Sequence, residues 1–171
     1  GTVTLAQVKS ILGAATGAGV SFIGGTLKVS GSDLQGMSTQ DTVNLSNAGL
    51  TTIQVVGGVS TAQAKAVLGS NLVFKSGTAI VDRSVSLEDA QALIAKGAVF
   101  APGSTLRLTE GTLSTPQLFD GDSPLFATLM ANGFNKIALA DSITGAPVPI
   151  TTTLAGQIAN MGNITISGAV I

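Results

Sequence analysis

Short alternations of apolar and polar residues recur along this chain at nearly fixed spacing. Triplets of the form apolar, variable, apolar begin at Leu27 (LKV), Ile53 (IQV), Ala79 (AIV), Leu106 (LRL), Ile137 (IAL) and Ile164 (ITI), in steps of 26, 26, 27, 31 and 27 residues. Alternation with a period of two marks a half-buried strand, so the first and third residues of each triplet are predicted to face a core and the middle one to face outward. A second pattern lies between the triplets: an apolar residue, Ser or Thr, two variable residues, then an acid or amide. It reads VTLAQ from Val3, MSTQD from Met37, VSTAQ from Val59, VSLED from Val85 and LSTPQ from Leu113, and ITTTL from Ile150 keeps only its first two positions.

The second pattern is the signature of a helix start. The hydroxyl of Thr4, Ser38, Ser60, Ser86 or Ser114 is placed to accept from the backbone N–H three residues on, and Gln7, Gln63 or Gln117 to reach back to the cap's own N–H. Asp41 and Asp89 occupy the same position with a shorter reach. Apolar residues then follow at helical spacing, as in Leu5, Val8, Ile11 and Leu12, and the helices are predicted to stop near Gly13, Gly69 and Gly97. Phe22, Phe74 and Phe100 each precede a triplet by five or six residues, which predicts a ladder of stacked rings.

Strands and short helices alternating every ~27 residues fit a coil better than a doubly wound sheet. Each unit is too small to bury its own apolar face, whereas stacked neighbours share one core. The expected fold is α/β, a single right-handed solenoid of about six strand-helix repeats with a parallel sheet, spanning residues 1–171 as one repeat domain. The start of the chain has no basic segment leading into an apolar one, and a fragment of a larger protein is expected.

Composition removes most chemistry from consideration. The chain has no His and no Cys, so zinc sites, Ser-His-Asp triads and thiol nucleophiles are excluded, and nothing points to a disulfide framework. Charged residues are only 10% of the chain and the net charge is −1, which leaves a neutral surface rich in hydroxyls. Eight scattered Lys and Arg without Trp or Tyr argue against nucleic acid. The uncharged stretches Ser10–Leu27 and everything after Asp141 are broken by Gly, Ser, Thr and Pro, so no membrane span is expected.

The outward middle positions, Lys28, Gln54, Ile80, Arg107, Ala138 and Thr165, are predicted to align as one column of the sheet. Lys28, Gln54 and Arg107 are its candidate ligand-binding residues. Its mixed character argues against a regular lattice such as ice and suits a specific protein or glycan contact. The turn DGDS makes Asp120 and Asp122 candidate calcium ligands, set against a solvated loop in the longest repeat. Glu88 and Asp89 fit the first turn of a helix, where the macrodipole favours negative charge. The glycines of Gly17–Gly19 and Gly57–Gly58 lack the spacing of a phosphate loop and read as turns.

VSTAQAKAVL from Val59 and VSLEDAQAL from Val85, each leading through Gly to a Thr-containing strand, resemble the helix-strand repeats of large secreted bacterial surface proteins. These include repeat-rich adhesins and S-layer-like proteins. The layout of one helix and one strand per unit is also similar to the leucine-rich-repeat class, although its Leu-x-x-Leu-x-Leu signature is absent. The resemblance covers nearly the whole chain. It implies a non-enzymatic structural or adhesive module, extracellular or on the cell surface, with neighbouring repeats or domains of the same protein and a protein or glycan ligand as partners. The alternatives are a carbohydrate-active solenoid enzyme working through carboxylates and a calcium-dependent ligand-binding domain. The six triplets contain no Asp or Glu, which favours the module.

Overall fold

The computed structural model describes residues 1–14, 21–22, 24–109, 123–139, 146–160 and 165–170. The chain is mixed α/β and forms two compact units, Gly1–Val81 with Ala92–Val99, and Asp82–Gln91 with Phe100–Ile171. In chain order the elements begin β1 (Thr2–Thr4), α1 (Leu5–Ala14), β2 (Thr26–Val29), α2 (Gly31–Gln35), α3 (Thr39–Asn47) and β3 (Thr52–Val55). Next come α4 (Thr61–Ala64), which tightens into a 3-10 turn over Lys65–Val67, then β4 (Val73–Phe74) and β5 (Thr78–Ile80). β6 (Ser84–Ser86), α5 (Leu87–Ala95), β7 (Ala98–Phe100) and β8 (Ser104–Leu108) follow. The last described elements are α6 (Pro124–Ala131), β9 (Phe134–Leu139), β10 (Val148–Pro149), α7 (Thr152–Asn160), β11 (Thr165–Ser167) and β12 (Ala169–Val170).

In the first unit β1, β2, β3 and β4 pair in sequence order and in parallel, so Val3, Leu27, Ile53 and Phe74 form one inward column. Leu27 and Ile53 are fully buried, as are Val8, Leu34, Leu45 and Leu50 from the helices and their turns. In the second unit β6, β8, β9 and β11 pair in parallel and align Val85, Leu106, Ile137 and Ile166. Sequence order is spatial order in both sheets. Parallel neighbours need a crossover, and short capped helices supply it.

The predicted caps that fall on described residues form, and two further helices carry caps of their own, Ser30 on α2 and Ser123 on α6. Ser60 and Gln63 close a capping box, as do Ser38 and Asp41, and Thr4 and Gln7 exchange the same pair of bonds at 2.9 and 3.3 Å. The shorter reach expected of Asp41 is no handicap, since its carboxylate accepts from both Ser38 N–H and Ser38 Oγ at 3.0 Å. Ser86 accepts from Asp89 N–H at 3.2 Å, and Thr151 from Leu154 N–H at 3.2 Å. An unpredicted box, Ser30 with Asp33, starts α2. Ser114 and Gln117 lie outside the described residues.

Three expectations of phase need correction. In the third triplet Ile80 is buried and Ala79 exposed, the reverse of the predicted facing. The larger side chain removes more apolar surface from water, and Thr78 shares the interior because its hydroxyl donates to Lys75 O at 2.9 Å. Ile53 therefore neighbours Phe74, and Ile80 bridges to Val59. In the last triplet Ile166 is the residue opposite Ile137, while Ile164 lies outside the described residues. The phenylalanine ladder does not form as drawn. Phe74 fills the inward column of the first unit, and Phe100 packs on Phe134 with ring centroids 4.6 Å apart.

Candidate functional site

The alternation that buries Leu27 and Ile53 turns their neighbours outward. Two columns of side chains result on the outer face of the first sheet. One runs Thr2, Thr26, Thr52, Val73. The other runs Thr4, Lys28, Gln54 and, directly after β4, Lys75, whose N–H donates to Ile53 O at 2.6 Å and holds it in step. Lys28 and Lys75 are exposed, Gln54 is half-buried, and neither lysine has an ion-pair partner among the described residues. No acidic residue stands in either column.

The first unit keeps its carboxylates elsewhere. Asp33 accepts from Ser30 N–H at 2.9 Å and Asp41 from Ser38 N–H at 3.0 Å, both at helix starts. The backbone donor is the main reason each is held below the ordinary carboxylate range. The Ser30 hydroxyl comes next for Asp33, and for Asp41 slight burial opposes the shift while Lys9 and the Ser38 hydroxyl add to it. Lys9 and Asp41 form an ion pair at 3.1 Å. These acids are tied to capping and stay ionised near neutral pH, which suits neither of them to proton transfer there.

Of the predicted binding residues, Lys28 and Gln54 are brought together as register partners on adjacent strands. Arg107 is exposed on β8 of the second unit, between Ser86 and Ala138 in its column. Thr165, also outward, faces Lys136, and Ile80 is excluded from the surface because it is buried. The calcium candidates Asp120 and Asp122 lie outside the described residues. Among the described residues no group of three or more acidic side chains gathers where it could hold a metal ion, and no helix is long and apolar enough to cross a membrane.

One feature escaped the sequence. A hollow of about 140 Å³ in the first unit is lined by Thr42, Val43, Ser46, Asn47, Gly69, Ser70 and Asn71. Its polar groups are hydroxyls and amides beside the apolar Val43, with no ionisable side chain, so it can hydrogen-bond a small polar ligand and has no acid or base to exchange a proton with it. A second hollow, of about 260 Å³, lies along α1 and α3 beside the Lys9–Asp41 pair. Both depend on how helices and turns pack, and no local motif marks them.

Compared with protein families, curated proteins and solved structures, the chain matches none. Its chemistry therefore has to be judged from its own surface. That surface offers donors, acceptors and a few cations along a sheet.

Proposed function

We propose that the chain is a non-enzymatic extracellular module of a bacterial surface or secreted protein, a solenoid of about six turns that presents its sheet for protein or glycan contact. The observation that carries it is the outward column Thr4, Lys28, Gln54, Lys75, a row of polar groups set on consecutive parallel strands with no carboxylate among them. Glycosidic cleavage needs two carboxyl groups facing one bond, one as acid and the other as base or nucleophile. The described acids of the first unit are instead tied to helix caps. Repetition of one strand-and-helix step extends such a surface without altering its chemistry, which is what an adhesive or structural spacer requires.

The test is to incubate the purified chain with a panel of glycans and to follow binding and the release of reducing ends in the same samples. Binding without release is expected. Catalytic release of reducing ends would overturn the proposal in favour of an enzyme.

A further inference from the structure

Charge is divided unevenly along the chain. The first unit carries Lys9, Lys28, Lys65, Lys75 and Lys96 against Asp33 and Asp41 alone, a formal +3, which leaves −4 for the second within the overall −1. The two acids stand at helix starts, where backbone and hydroxyl donors hold them. Lys9 is matched by Asp41, and the Lys96 ammonium donates to Ser70 O. Lys28 and Lys75 are left on the sheet, exposed, in one column and on alternate rungs, about 9–10 Å apart at the usual spacing of paired strands. Gln54 lies between them, and Thr26 and Thr52 flank them in the next column.

Two cations at that interval, with an amide and hydroxyls between, call for a ligand that is anionic at intervals and polar throughout. A short peptide carboxylate would use one lysine and leave the hydroxyls idle. A nucleic acid would offer phosphates, but this face has no aromatic side chain on which its bases could stack. We infer that the outer face of the first sheet binds a linear anionic polysaccharide, its chain laid across the strands. Its carboxylate or sulfate groups sit at Lys28 and Lys75, and its ring hydroxyls bond Thr26, Thr52 and Gln54. The spacing of the lysines is close to the length of a disaccharide, so an acid on every second sugar meets both. This rests on the presenting-module reading and adds the class of glycan to it.

The experiment measures binding of the whole chain to polygalacturonate, to chondroitin sulfate, to neutral dextran and to single-stranded DNA, at low and at raised salt. The parent chain should bind at least one of the two acidic polysaccharides in preference to dextran and DNA, with affinity falling as salt rises. Lys28→Gln with Lys75→Gln should weaken that binding about tenfold, the sum expected of two surface charge contacts, while Lys65→Gln, away from the sheet, leaves it within about twofold. Circular dichroism of each variant checks that the fold is kept. Equal binding by the double variant, an equal loss in Lys65→Gln, or a preference for dextran or DNA would overturn the inference. Binding without cleavage by a double variant as tight as the parent would remove this inference alone and leave the non-enzymatic module standing, whereas release of reducing ends would remove both.

Discussion

Most of what a single residue does in this chain concerns the first turn of a helix. Four backbone N–H groups there lack helical partners, and each reciprocal cap, as at Thr4, Ser30, Ser38 and Ser60, satisfies two of them. Ser60→Ala and Ser86→Ala should each lower stability by about 1 kcal/mol, measured by denaturant unfolding. Unchanged midpoints in both would show that the caps are incidental. Asp33 and Asp41 add a dependence on pH. Each has a folded pKa below its ordinary value of 3.8, so its contribution is fully present above that value and is lost as pH falls through the lowered one. Thermal melts between neutral pH and strong acid should therefore show destabilisation only on the acid side. Asp41→Asn, which keeps an acceptor and gives up the charge, should flatten part of that fall. A variant with the same acid profile as the parent would assign the dependence to other groups.

At the scale of elements the decisive feature is the turn from helix to strand. Gly97 and Gly133 adopt φ of +87° and +97°, and a Cβ on either would press on the backbone of an earlier strand, 2.9 Å from Phe74 O in β4 and 2.7 Å from Phe100 O in β7 respectively. Gly133→Ala should cost more than about 1 kcal/mol, since left-handed backbone and close approach add; a loss smaller than that in chemical denaturation would mean the turn relaxes. The sequence made these elements legible where local chemistry decides them: cap positions, the glycine stops, and the inward Leu27, Ile53, Leu106 and Ile137. It failed where two phases were nearly equivalent. In Thr78-Ala79-Ile80-Val81 either pair of alternate residues can face the core, and the choice fell to Ile80 because Thr78 has a backbone acceptor within reach. Lys28 and Gln54 were readable as outward neighbours for the same reason that Leu27 and Ile53 were readable as core. The threonine column beside them carries no mark in the triplets, because β2 and β3 each start one residue before theirs. The hollow between residues 42–47 and 69–71 had no local trace, since it arises only when distant segments pack.

For the molecule as a whole, the parallel order makes each strand answer chiefly to its immediate neighbours. In such an arrangement stability is close to a sum of local terms and interfaces, so damage should spread outward from the strand that is hit. Leu106 tests this, being 2% exposed in the inward column between Val85 and Ile137. Leu106→Ala should cost about 2–5 kcal/mol, from lost burial and from a cavity that rigid neighbours only partly fill. Arg107→Ala, one residue on but facing water, should change stability by no more than about 0.5 kcal/mol. Amide hydrogen exchange then locates the damage. In Leu106→Ala, protection should fall first in β6, β8 and β9, and less in β2 and β3, which belong to the other compact unit and share no column with Leu106. A uniform fall across both sets of strands would mean that the two units open together as a single cooperative body, and the picture of stability summed strand by strand would have to be given up.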